Sequence, residues 1–394
     1  MISSQQALDS VGRCLDWLER VMLAGDRGSR GVYERVRTDK KEVVRLCRPD
    51  VASEYLRLLY DYADLTGDNR FDDVYQNVKN WLLNAQKKRG YFPFYLNEEK
   101  QNAPSKMIYQ NDNGKVILNL VYLYQKTGDM ALLLSAKKCA DFWLKCQLKN
   151  GDFYTFIMFS GRKYSKGPCF LLWMAAGLIC LGKVTADKKY TTAGYRAFSC
   201  VRLENGRIKT TFEVSGGEAW RPLSSENFIA LLCYALAYMA TDDKRFIDAI
   251  CAIYPFCRSM IDLKSGAIKN NVDGIKASLN NNENISDFVY TMGYGVNALF
   301  KLAEISDFSD ALEMAQKVCE FIIKTQCNED DATVDGAWRG SYDIITAKPK
   351  GRCNQQNSLD EGGEFSVYSG WCAIPIAIGL IRLARINGDE KSNK

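Results

Sequence analysis

One supersecondary unit recurs six times along this chain. An apolar helix-forming stretch runs into a short polar turn, then an amphipathic stretch, then a loop in which glycine precedes aromatic or β-rich residues. A fixed repeat means copies of one unit stacked on each other, which constrains the fold more tightly than composition does. The clearest copies are Asp50 to Phe94, Asp112 to Phe156 and Ser286 to Tyr342.

The turns read Thr66-Gly67-Asp68, Thr127-Gly128-Asp129 and Asn387-Gly388-Asp389, with Thr241-Asp242-Asp243 and Ser306-Asp307 as weaker versions. Glycine or a small polar residue ends one helix and Asp caps the next. On the opposite face lie the longer glycine loops, at Gly90-Tyr91-Phe92, Gly151-Asp152-Phe153, Gly206-Arg207-Ile208, Gly266-Ala267-Ile268 and Gly336-Ala337-Trp338. Function is expected on that long-loop face.

The two ends complete the series. Ser4 to Leu23, with Leu8, Val11, Leu15, Leu18 and Met22 at helical spacing, is a second helix lacking its first. Glu364 to Ile386 is a first helix lacking its second. Pairing them closes an all-α (α/α)6 toroid over residues 1–394, one domain of six inner and six outer helices. Phe170 to Leu181, Phe228 to Met239 and Ala373 to Leu383 are apolar nearly all round and belong inside. Ser135 to Gln147 and Asp310 to Gln326 carry one apolar stripe and belong outside.

Composition narrows the chemistry. Hydrophobic residues make up 47% of the 394, enough for a large core, and no Pro-rich, Gly/Ser-rich or like-charged linker divides the chain. No charge-free apolar run of about 18 residues appears, so no membrane span is expected. MISSQQALDS lacks the basic and apolar regions of a secretory signal. The 14 cysteines include no C-x-x-C and sit mostly at apolar helical positions, as free thiols in a reducing compartment do; a cytoplasmic location is expected. A net charge of +5 without a basic stripe argues against nucleic acid and is compatible with an acidic sugar ligand. No cofactor is expected. The chain has no histidine, which excludes Ser-His-Asp and Cys-His nucleophiles, His-based epimerases and the usual zinc sites.

The ring of hairpins with aromatic residues after each loop glycine resembles the six-hairpin glycosidase superfamily of glycoside hydrolases, sugar epimerases and polysaccharide lyases. The resemblance implies a sugar cleft on the long-loop face, over the starts of the inner helices. Lys317 through Gln326 to Asp335-Gly336-Ala337-Trp338 also resembles the glutamine-tryptophan repeat of triterpene cyclases and protein prenyltransferases. Yet Glu329-Asp330-Asp331-Ala332 is not the Asp-x-Asp-Asp acid that triterpene cyclases use. The zinc sites of prenyltransferases and lanthionine cyclases, and N-acylglucosamine epimerase chemistry, need histidine.

Glycosidic hydrolysis needs a protonated carboxyl and a carboxylate roughly 5 to 10 Å apart. Acids at inner-helix starts, where the helix dipole favours negative charge, are the candidates. They are Asp112 in Tyr109-Gln110-Asn111-Asp112, Glu226 after Ser224-Ser225, and Asp287 after Ser286. Tyr109, Trp220, Trp338 and Tyr368 are expected to stack on sugar faces. Glu218, Arg221, Asp335 and Arg339 are expected to bind substrate from loops rich in glycine, acid and aromatic residues. Asp50, Glu54, Asp152 and the segment Asp360 to Trp371 are further candidates. Unsaturated glucuronyl hydrolases carry an Asp on the third inner helix, and Gly167 to Leu181 here has none. A glycoside hydrolase acting on an oligosaccharide or polysaccharide is the leading expectation. Two others stand beside it: a lyase using Tyr290 or Tyr368 as base, and a non-catalytic protein of polysaccharide biosynthesis holding an oligosaccharide or a partner.

Overall fold

The computed structural model describes residues 2–25, 28–164, 171–208, 223–270, 284–305, 307–351 and 363–392. Its helices alternate between an outer and an inner ring. α1 (Ser4–Val21) is outer and α2 (Pro49–Thr66) inner. There follow α3 (Asp72–Ala85), α4 (Gln110–Thr127), α5 (Met130–Leu144), α6 (Leu172–Thr185), α7 (Lys188–Phe198), α8 (Leu223–Thr241) and α9 (Lys244–Ser259). The last three are α10 (Gly293–Ala303), α11 (Ala311–Thr325) and α12 (Ile374–Ser392). Each inner helix packs on the next, from α2 through α4, α6, α8, α10 and α12 back to α2, and α1 packs on α12. The closed (α/α)6 toroid expected from the repeats is therefore the fold.

Polarity sorted the helices as burial requires. Ten of the 14 residues of α6 are buried, because a helix ringed by neighbours has no face left for water. Ser369–Gly388, which includes most of α12, is long and apolar enough to cross a membrane, the one such helix among the described residues; 83% of its apolar window lies inside the toroid.

The short turns behave as their residues dictate. Gly67 and Gly128 end α2 and α4 in the left-handed conformation, and Asp129 and Asp243 accept hydrogen bonds from the backbone N–H two residues on. Thr185-Ala186-Asp187 makes the same turn without glycine, Ala186 taking a φ of 54° and Asp187 capping α7. One expected turn is not a turn: Asn387-Gly388-Asp389 lies within α12, which runs on to Ser392. Ser306 lies outside the described residues.

On the other face the loops form small sheets. Strand β1 (Tyr33–Arg37) pairs with both β2 (Glu42–Cys47) and a late strand, Ser366–Tyr368, with Arg35 opposite Tyr368. This corrects the expected start of the last inner helix at Glu364: its first residues are drawn into the sheet that joins the two ends of the ring. Further ladders couple Met107–Tyr109 to Phe156–Met158 and Ile285–Asp287 to Ser341–Asp343.

The loop glycines are joints between hairpins. Gly336, at φ 92°, approaches α1 so closely that a Cβ would lie 2.4 Å from the Arg13 carbonyl oxygen. A glutamine at the end of the preceding outer helix clasps the same joint. Gln326 Nε2 donates to the Gly336 carbonyl at 2.8 Å and to that of Ser10 on α1 at 2.9 Å. Gln86 bridges Gly90 and Ser135 in the same way, and Gln147 bridges Gly151 and Ala193.

Candidate functional site

The axis of the toroid is polar at the loop end, and the polarity comes from three helix starts. Arg48, just before Pro49 opens α2, is 1% exposed. Its guanidinium lies between two rings, 3.7 Å from the centroid of Phe94 and 4.4 Å from that of Trp371. It reaches three carboxylates: Nη1 to Glu34 at 2.8 Å, Nη2 to Asp112 at 2.9 Å and Nε to Asp50 at 3.3 Å. A planar cation with donors in a fixed fork suits both the stacking and the divergent acids.

The chain of charges continues inward. Trp371 Nε1 donates to Asp50 Oδ2 at 3.0 Å, and Lys115 Nζ lies 3.3 Å from the same oxygen. Lys115 also meets Glu54 Oε2 at 3.2 Å and donates to the Tyr294 hydroxyl at 3.0 Å. Burial alone would raise the Asp50 carboxyl; the Arg48 and Lys115 cations outweigh it and hold the group below the ordinary carboxylate range. For Glu54 burial wins over Lys115, and its carboxyl is pushed up.

Trp371 reaches this place through an unusual backbone. It adopts a φ of 58°, costly for an aromatic residue, directly after Gly370, where a Cβ would lie 2.2 Å from Val51 Cγ2 of α2. The close approach of the two inner helices therefore requires glycine, and the positive φ accompanies the placement of the indole against Arg48.

Outward from Arg48 the rings continue. Phe94 lies 4.6 Å from Tyr109, Tyr109 5.1 Å from Phe156, and Phe156 stacks on Tyr164 at 4.6 Å between centroids. Phe94, Tyr109 and Phe156 are half-buried and Tyr164 is exposed, so the ladder presents an aromatic wall on the loop face. Asp112, whose side chain is 12% exposed, adjoins the inner end of that wall through Arg48.

The three acids expected at inner-helix starts are all there. Asp112 is in the first turn of α4 and Glu226 in the first turn of α8. Asp287 caps the wide turn Phe288–Met292 that leads into α10. Glu226 and Asp287 are buried. Of the aromatic expectations, Tyr109 joins the wall. Tyr368 is buried, its hydroxyl accepting from Arg35 Nη1 at 2.6 Å. Trp338 is wholly buried, with its indole N–H donating to the Ile322 carbonyl at 2.8 Å, so it packs the core and offers no face to a ligand. Asp335 pairs at 3.0 Å with Arg13 of α1, at the joint between outer helices. Arg339 makes a fork with Glu329 and also donates to Thr38 Oγ1 and the Glu364 carbonyl, tying loops together. Asp152 half-buries in its own loop, accepting from the Phe153 N–H. Glu218, Trp220 and Arg221 lie outside the described residues, as do Asp360 and Glu361.

Sequence reasoning missed Arg48, Lys115 and Glu34, and it ranked Asp50 and Glu54 low. A signal was present. Lys115 and Asn119, and Asp50, Glu54, Arg57 and Asp61, are polar residues at three- and four-residue spacing on helices otherwise built for burial. Such a stripe on an inner helix must face other polar groups across the axis.

No protein-family model and no curated protein sequence matches the chain. Solved structures do. A sugar epimerase from a ruminal bacterium is similar at a TM-score of 0.74 and 14% identity, over 97% of this chain and 98% of that one. An unsaturated glucuronyl hydrolase specific for heparin is similar at 0.69 and 14% identity, over 98% and 99%. A GH76 α-mannanase from Bacteroides thetaiotaomicron is similar at 0.68 and 14% identity, over 98% and 97%. At such identities the likeness is one of fold, and the chain has the six-hairpin glycosidase-like (α/α)6 fold.

Proposed function

We propose that the chain is a carbohydrate-active protein of the glycoside hydrolase type, taking an oligosaccharide on its loop face. The observation that supports this best is the aromatic wall Tyr164, Phe156, Tyr109 and Phe94 running down to Arg48 and Asp112. Sugar rings stack their C–H faces on aromatic side chains, and their hydroxyls need acceptors such as carboxylates beside the stack. Arg48 provides Asp112 with a fixed positive charge, which suits it to act as the base or nucleophile. The proton donor is Glu226 or Asp287, at the starts of other inner helices facing the same end of the ring. Glu34, on the other terminal nitrogen of Arg48, positions the guanidinium.

The test is a screen of oligosaccharides, neutral and uronic, with product analysis. With an active substrate in hand, Asp112→Asn, its stability checked separately, is expected to lower kcat roughly 10²- to 10⁴-fold. Unchanged turnover in Asp112→Asn, Glu226→Gln and Asp287→Asn alike would refute the acid/base reading.

One observation favours a second reading. The axial acids Glu34, Asp50, Glu54 and Asp112 are all engaged by Arg48 or Lys115, as in a structural ion network. A non-catalytic protein that holds a saccharide on the same wall would show saturable binding without any product.

A further inference from the structure

A recess of about 500 Å³ opens on the loop face, a size in which compact organic ligands are held. It lies where the glycine loop after α9, the last turn of α11 and the ladder of Ile285–Asp287 with Ser341–Asp343 come together. Three ammonium groups line it, Lys264 and Lys269 from the loop and Lys324 from α11. Among the described lining residues the acid is Asp262, and it is turned into its own loop, accepting from Ser265 N at 2.9 Å and Ser265 Oγ at 2.6 Å. The Ser265 hydroxyl does most to hold that carboxyl below the ordinary range, and Lys269 and Lys264 add a weaker pull through space. Asp343, next to the recess, is taken by Lys350 Nζ at 2.6 Å and by the N–H groups of Ile345 and Thr346. None of the three lysines is ion-paired with a described carboxylate, so the recess keeps a surplus of positive charge. Ile344 and Ile345, the latter 77% exposed, give it an apolar side.

The backbone ties this recess to Asp287. Asn284 stands in its wall, and Asp287 is three positions further along the same extended segment, roughly 10 Å away at the rise of a strand. Lys269 precedes Asn270, whose Oδ1 accepts from the Asp287 N–H at 2.9 Å and whose own N–H donates to the Ile285 carbonyl at 3.1 Å. Ile268 and Asn270 are both buried, so Lys269 between them projects to the other side, into the recess.

We propose that this recess is a subsite for an acidic sugar unit, one bearing carboxylate or sulfate groups, some way along the glycan from the bond at Asp287. The proposal rests on the saccharide reading and adds the class of glycan to it. The ammonium groups meet the anionic substituents as point charges, and the isoleucines cover C–H surface of the ring.

Calorimetric titration of the full chain with tetragalacturonate, a heparin tetrasaccharide and cellotetraose is the test. At least one acidic tetrasaccharide should bind about 10-fold or more tightly than cellotetraose, and added salt should shrink that preference. Substituting Lys264→Gln, Lys269→Gln and Lys324→Gln together should remove the preference and leave Tm unchanged, because none of these side chains makes a hydrogen bond or ion pair with a described residue. Equal affinity for acidic and neutral tetrasaccharides, no binding of either acidic one, or a preference that survives the triple substitution overturns the proposal. Equal affinity would leave the saccharide reading standing. Lysine-dependent binding without any product would uphold the subsite and count against hydrolysis alone.

Discussion

Buried charge is the dominant theme at the level of single residues. Breaking one partner out of a buried ion pair costs about 3–5 kcal/mol, since the other is left uncompensated. Arg48 holds three acids and two rings, so it has a larger claim on stability than any surface pair here. Lys301 offers a clean pH prediction. Burial, then Arg382, lowers its folded pKa to about 8, against 10.5 for an ordinary lysine. Between those values the unfolded chain binds more protons than the folded one, so stability rises with pH across that window. The urea midpoint of the protein is expected to climb between pH 8 and 10 relative to Lys301→Met, whose profile lacks this contribution; parallel profiles would contradict it. Asp112 was legible in the sequence because it heads a helix in a polar, aromatic segment. Lys115 was not, because its partners Asp50 and Glu54 lie on another helix more than 60 positions away.

At the level of elements, the repeat is held by joints rather than by the helices alone. Gly336 has both a positive φ and the Arg13 carbonyl where a Cβ would go, whereas Gly128 has a positive φ with open space around it. Gly336→Ala is therefore expected to destabilise by about 2 kcal/mol or more, and Gly128→Ala by about 1 kcal/mol, in urea unfolding. Equal costs would show that backbone conformation, not the contact with α1, explains the joint. The glycine loops were read from the sequence as the functional face. The aromatic wall does stand on that face, but the glycines themselves are joints between outer helices, and Asp335 and Trp338 near them serve the same packing. Composition alone could not separate these roles, since an acid and an indole beside glycine look the same whether they face solvent, a ligand or the next helix.

At the level of the whole molecule, closure depends on few elements. α1 is the outer partner of α12, with Ser4 Oγ donating to the Ala384 carbonyl at 2.7 Å and Trp17 wholly buried. Deleting residues 1–24 is expected to expose the apolar side of α12 and abolish the single cooperative thermal transition, read by circular dichroism; a truncated chain that melts as sharply and at the same temperature would show that closure is not needed. The sequence by itself determined the hairpin count, the inner and outer assignment and the end-to-end pairing, because helix polarity and turn chemistry are local and recur. Only the tertiary structure decided which charges meet. The axial network of Arg48, Asp50, Lys115, Glu54 and Asp112 is assembled across the ring from residues far apart in the chain, and a carboxylate's role is set by the cation that distance in space, not in sequence, brings beside it.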